Sequence, residues 1–163
     1  MTVARALAII LVALHVAGCA HPFWRKPTAQ RTTEGVSAEQ MFTYHVLLQN
    51  GREPNFEEWR TWRDDIDERI SAYLREHPEA ANSFDVTKFQ FLRQTSVGMT
   101  KQQVRILLGS PEGATTDAAH IEKIARGYWP QIKEKATEAW AYPLGWNLYF
   151  AGDRLIDITQ YLP

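Results

Sequence analysis

Few side chains in this 163-residue sequence are spaced to do covalent or metal chemistry. Of the five histidines, His15 and His21 lie in or beside the apolar N-terminal run. His45, His77 and His120 are separated by tens of residues, with no His-Glu-x-x-His or other paired ligand spacing. Asp64, Asp65, Asp67 and Glu68 are acidic enough to attract a cation. On a helix, however, Asp64 and Asp65 diverge by about 100°, no glycine turn follows them, and Arg60, Arg63 and Arg69 interleave, so they read as a solvated helix face. Ser71, Ser83, Ser96 and Ser110 have no adjacent histidine, and no Gly-x-Ser-x-Gly turn occurs. Gly109-Ser110-Pro111 follows a helical segment instead of opening one, so it cannot cradle phosphate. No catalytic residue, metal or cofactor is expected.

The one cysteine, Cys19, excludes an intrachain disulfide and a thiolate metal cluster. Residues 1–19 read MTVARALAIILVALHVAGC, with Arg5, an apolar run from Ala6 to Ala17 and then small residues. A membrane span needs about 20 apolar residues, and a dozen is signal-peptide length. Val16-Ala17-Gly18-Cys19 resembles the bacterial lipobox. The resemblance implies that residues 1–18 are a lipoprotein signal peptide and that the mature chain starts at a triacylated, palmitate-bearing Cys19. Several acyl chains make such an anchor effectively permanent. Ala20 stands where Asp would resemble an inner-membrane retention signal, which favours the outer membrane, periplasmic face.

Eighteen basic against 19 acidic residues leave no basic stripe for phosphate, so nucleic acid is not an expected partner. Without Arg5 the balance is 17 to 19, a net charge of −2. A 45% hydrophobic composition lies in the globular range, and 12% aromatics, six of them Trp, suit both a core and a recognition surface.

Residues 19–36 comprise the lipidated cysteine and a tether carrying two prolines and no hydrophobic period. Phe23 and Trp24 beside Arg25 and Lys26 suit either a bilayer interface or plain linker. Residues 37–95 read as helical. Ser37 and Gln40 form a capping box ahead of Met41, Tyr44, Leu47 and Leu48, stopped at Asn50-Gly51. Asn55 caps a second helix whose Trp59, Trp62, Ile66, Ile70 and Tyr73 or Leu74 form one stripe, ended by His77-Pro78. Trp59 and Trp62 share that stripe and are read as core, with a binding surface as the alternative. A short helix is expected near Phe84–Arg93, presenting Phe84, Phe89, Phe91 and Leu92. Thr100 and Gln103 then cap a helix with Val104, Leu107 and Leu108 on one face, a left-handed stop at Gly109, and Pro111 beyond it. Residues 112–136 hold a loop and a helix over Ala118–Ala125, with Gly127 and Pro130 as breakers. Three strands close the chain: Ala139–Tyr142, Trp146–Phe150 and Arg154–Tyr161. Turns at Pro143-Leu144-Gly145 and Ala151-Gly152-Asp153 join them. Trp146, Leu148 and Phe150 alternate with Asn147 and Tyr149, and Ile156 and Ile158 with Asp157 and Thr159.

Val97-Gly98-Met99-Thr100, Gln103-Val104 and Leu107-Leu108-Gly109-Ser110-Pro111 are followed by Trp140-Ala141-Tyr142, Leu148-Tyr149-Phe150 and Gly152-Asp153-Arg154-Leu155. Together they resemble the BamE family of outer-membrane lipoproteins, also called SmpA/OmlA. The resemblance covers 96–161 without 113–136, which reads as an insertion. It implies an α+β domain over 96–163, a short helix packed on a three-stranded antiparallel sheet, with 37–95 as a helical extension in front.

The family likeness further implies a non-catalytic protein-binding module in β-barrel assembly or envelope integrity. Its partners would be outer-membrane lipid through Cys19 and the β-barrel assembly complex or another envelope protein. The polar sheet face offers the binding surface, with Asn147, Tyr149, Asp157 and Tyr161 joined by Trp129 and Tyr128. The alternative is that the N-terminal helices cover that face. A second functional reading is an inhibitor or ligand-sensing periplasmic lipoprotein that grips an enzyme through the same face.

Overall fold

A computed structural model describes residues 28–83, 85–133 and 135–162. The signal peptide, Cys19, the Phe23-Trp24 pair, the start of the tether and Phe84 lie outside the described residues.

The three capping boxes form as their spacing dictates. Ser37 with Gln40 opens α1 (Ala38–Asn50), Asn55 with Glu58 opens α2 (Phe56–Glu76), and Thr100 with Gln103 opens α5 (Lys101–Leu108). Gly51 ends α1 at φ 66°. Gly109 ends α5 at φ 77° with ψ −161°, a positive-φ stop that leaves the helix extended instead of in the left-handed helical well. The short helix expected over 84–93 is α4 (Val86–Gln90), and a further one-turn helix, α3 (Pro78–Ala81), precedes it. Of the apolar residues expected there, Phe89 is buried while Phe91 and Leu92 are exposed. The helix over α6 (Ala118–Ala125) is capped by Asp117 and followed by α7 (Trp129–Ile132). Pro130 sits in the first turn of α7, where its missing N–H costs nothing, so it opens that helix.

The sheet has five antiparallel strands where the family resemblance implied three. Its order is β1 (Thr28–Thr32), β7 (Arg154–Leu162), β6 (Trp146–Ala151), β5 (Glu138–Tyr142) and β4 (Gly113–Thr115). A two-stranded ribbon of β2 (Glu34–Ser37) and β3 (Gln94–Ser96) flanks it. Two of these strands, β1 and β2, fall inside the stretch read as tether. Their sequences lack alternation because β1 is an edge strand, held by its ladder to β7 and by side-chain pairs such as Gln30 with Gln160, not by an apolar face. With only three residues, β4 is too short to show a period.

Residues 37–95 share one core with the C-terminal part. Val36, Met41, Ile66, Ile70 and Phe89 pack with Val104, Leu107, Leu108, Leu148, Phe150 and Ile158. On the other sheet face Ile121, Ala125 and Ile132 pack against Ala139 and Tyr149. Segment 113–136 therefore supplies an edge strand and the second covering layer. A bulge corrects the expected alternation of β7: Tyr149 pairs with Asp157 and Phe150 with Leu155, which leaves Ile156 extra. Ile156 consequently packs in the second cluster and Ile158 in the first.

At the β5–β6 turn, Leu144 and Gly145 have φ of 60° and 75°, and the Tyr161 N–H donates to the Gly145 carbonyl at 3.0 Å. A Cβ on Gly145 would stand 2.0 Å from the Tyr161 carbonyl oxygen, whereas one on Gly152, at φ 58°, meets nothing within 4 Å. Gly145→Ala should cost about 2–4 kcal/mol and Gly152→Ala about 1 kcal/mol in denaturant unfolding. Equal costs would refute the close approach.

Lys101 Nζ lies 2.5 Å from a Glu138 carboxylate oxygen, and the Trp140 indole N–H donates to the other oxygen. Burial alone would raise the Glu138 pKa. Lys101, the indole and nearby Arg105 outweigh it and hold the carboxyl below its ordinary value. The stabilisation is complete above the unfolded value near 4.5 and is lost as pH falls through the lower folded value. Glu138→Gln should flatten the loss of Tm with falling pH below about 4.5, read by thermal melts from pH 6 to 3.

Candidate functional site

The five residues expected to form a binding surface do not form one. Tyr149 is fully buried, its hydroxyl 3.0 Å from that of Thr159, and burial pushes its phenol well above the ordinary value. Asp157 is buried beneath β1. It accepts two bonds from Arg31 Nε and one from a terminal guanidinium nitrogen, at 2.7–3.0 Å, and another from the Ile158 N–H at 2.9 Å. Trp129 is half-buried against the second core cluster. Asn147 and Tyr161, both half-buried, line a groove at the β5–β6 turn, and Asp157 lines another with Arg31 and Thr32.

The physical reason is the second apolar layer. Alternation correctly placed Asn147, Tyr149 and Asp157 on one face, but α6 and α7 cover that face and β1 covers its edge. The N-terminal helices lie on the opposite face. The stretch of this face around Tyr149 is thus buried and presents no open surface.

A different surface stands open on α1 and α2. Phe42 stacks on Trp62 with ring centroids 4.9 Å apart and meets the edge of Trp59 at 5.1 Å, and the two indoles cross at 5.5 Å. Trp62 is anchored on the core, while Ile66 and Ile70 further along the stripe are fully buried. Trp59 lies one turn nearer the helix start, half-exposed, beside Phe56, which is 77% exposed. The stripe therefore runs from core to surface along a single helix. The expected apolar face of α1 is also split: Met41 and Val46 are buried, while Leu47 and Leu48 face water. Apolar residues on both sides of α1 were the available sequence signal, because one buried face cannot absorb Met41-Phe42 and Val46-Leu47-Leu48 together.

Two grooves border the rings. One of about 400 Å³ runs between Phe42, Thr61 and Trp62 with Glu57, Glu58 and Asp65 on its rim. The other, about 250 Å³, lies toward His45, Arg69, Leu107 and Leu108. Two of the three rim carboxylates are paired. Arg60 pairs with Glu57 at 2.6 Å, and Arg52 binds Glu58 in bidentate fashion. Arg52 and the Asn55 N–H hold the Glu58 carboxyl down to about 2. Arg63 and Arg93 lie over the Trp59 and Trp62 rings at 5.6 and 5.8 Å. Half-exposed, mutually fixed aromatics with a paired polar rim have the anatomy of a protein-binding hot spot.

A further cavity, of about 300 Å³, lies between the ends of α2 and α3 and the start of α5. There His77 Nδ1 lies 3.1 Å from Glu79, while the Ser83 hydroxyl donates to the Ala80 carbonyl at 2.8 Å. Among the described residues no group of three or more His, Cys, Asp or Glu is placed to hold a metal.

Compared with models of known families, with curated proteins and with solved structures, the chain returns no match.

Trp59→Ala should cost about 1 kcal/mol or less, while Ile66→Ala, seven residues along the same stripe, should cost about 2–5 kcal/mol. Urea unfolding of the two variants checks this. A Trp59→Ala cost as large as that of Ile66→Ala would return Trp59 to the core.

Proposed function

We propose that this chain is a lipid-anchored outer-membrane lipoprotein that acts as a non-catalytic protein-binding module on the periplasmic face, serving β-barrel assembly or envelope integrity. The lipobox-like Val16-Ala17-Gly18-Cys19 supports the anchor, and the BamE-like run from Val97 to Pro111 supports the assignment to barrel assembly. The observation that carries the binding role is the Phe42–Trp59–Trp62 surface, which spends large aromatic area outside the core on two rigid helices. An open, ring-lined surface with most of its rim charge paired suits a protein surface better than a small ligand, which needs a deeper pocket.

The test is affinity purification from detergent-solubilised outer membranes, comparing the native chain with Cys19→Ala and with the double variant Phe42→Ala/Trp59→Ala. The expected result is recovery of a barrel or assembly component with the native chain, and its loss with both variants. Recovery of no such component above the Cys19→Ala control would overturn the assembly role. Undiminished recovery with the aromatic double variant would overturn the assigned surface.

A further inference from the structure

A groove of about 470 Å³ opens at the β5–β6 turn, within the roughly 300–1,000 Å³ range of small-ligand sites. Three separate parts of the chain build it: Tyr44 from α1, the turn itself, and the last turns of α6 with the residue that ends it. His120, Lys123 and Arg126 recur every three residues and all line it, so one edge of α6 faces the groove with its cations. Glu112 is the only carboxylate in the lining.

Part of the chain's positive charge is already engaged within the fold. Arg31, Arg52, Arg60, Lys88, Arg93 and Lys101 each form an ion pair. Among the described residues Lys123 and Arg126 form none, as is also true of Arg63, Arg69, Arg75, Arg105 and Arg154; what distinguishes the groove cations is that they line one cavity together. Arg126 is also held in position. Its backbone has φ 51° and ψ −126°, a region that non-glycine residues seldom occupy and that recurs at ligand clamps. Its guanidinium lies 4.3 Å over the Tyr161 ring, and the Tyr161 hydroxyl donates to the Ala125 carbonyl, just before the strained residue. A preorganised guanidinium fork matches a carboxylate in bidentate fashion. The lining also carries apolar surface from Ile124, Ala141, Pro143 and Leu144. A ligand with an anionic head and an apolar body can use both kinds of lining.

We infer that this groove captures the free C-terminal carboxylate of a peptide, with an apolar last side chain against Ile124 and Pro143 and the carboxylate on Arg126 and Lys123. Backbone and side-chain donors that gather a chain-end carboxylate are an established recognition mode. The site is separate from the aromatic surface on α1 and α2, and it stands or falls without reference to the lipid anchor.

Fluorescence anisotropy tests it with the full chain in detergent. The probe is a fluorescein-labelled hexapeptide of Ser and Thr ending in Phe, once with a free carboxylate and once amidated. The free acid should bind at least about tenfold more tightly than the amide. Lys123→Ala and Arg126→Gln should each weaken the acid at least about fivefold, and Lys133→Ala, outside the groove, should not. Arg126→Gly separates binding from folding, because glycine relieves the positive φ while removing the guanidinium. It should lose binding with a Tm equal to or above that of the native chain. Equal binding of acid and amide, no binding of the acid, or displacement by inorganic or glycerol phosphate as readily as by the acid peptide would each overturn the inference. A fall in Tm for Arg126→Gly would overturn it too, by making Arg126 a structural residue.

Discussion

Leu148, Tyr149 and Phe150 are consecutive on the central strand and are all fully buried. Successive side chains on a strand point to opposite faces, so three buried neighbours oblige the protein to cover both faces of its sheet. Most of the architecture answers that demand. The helices from 38 to 108 close one face over Leu148 and Phe150, and α6 with α7 closes the other over Tyr149. Neither layer is an accessory. Without the second, Tyr149, Ile156 and Asp157 would stand in water, and the ordered hydroxyl pair of Tyr149 and Thr159 would have no low-dielectric surroundings.

Much of this was legible in the sequence where local chemistry decides structure. Caps at Ser37, Asn55 and Thr100, the α6 helix over 118–125, and three strands with their two turns follow from short-range rules. What escaped is decided over long range. Strand β1 forms because a buried Asp157, 126 residues away, takes the Arg31 guanidinium, and nothing within Thr28-Ala29-Gln30-Arg31-Thr32 announces it. The bulge at Ile156 is similar. Strict alternation places Ile156 with Ile158, but the one-residue register shift opposite Tyr149 and Phe150 sends the two to different cores.

The candidate surface was misplaced for a related reason. A polar residue alternating with apolar ones predicts a wet face only if nothing later in the chain comes to cover it. Asn147, Asp157 and Thr159 are polar because they hold hydrogen bonds inside the structure: Asn147 to the turn carbonyl of Gly145, Asp157 to Arg31, and Thr159 to Tyr149. Sequence polarity was therefore a sign of internal satisfaction. The exposed aromatic surface lies instead on residues that the helix-periodicity argument places inside. Trp59 occupies a proper core position of the α2 stripe, but the core ends before it does.

Two arginines show how the same backbone cost is met in different ways. Arg93 sits at φ 45° and Arg126 at φ 51°, both in the region that suits glycine. At Arg93 the return is visible within the fold. Its carbonyl accepts the Ala38 N–H, its guanidinium binds Glu39 at 3.0 Å and Asp67 at 2.7 Å, and it lies over Trp62, so one residue joins α1, α2 and the strand ribbon. Burial works against its charge, and the two carboxylates more than restore it. At Arg126 no such set of carboxylates exists among the described residues, and the guanidinium is directed over Tyr161 into an open groove. A strained backbone persists only where something over-determines it. For Arg93 that something is the packing of the helices; for Arg126 it is the backbone bonds with Glu122 and Trp129 that end α6 and begin the next turn, while the guanidinium itself rests on the Tyr161 ring.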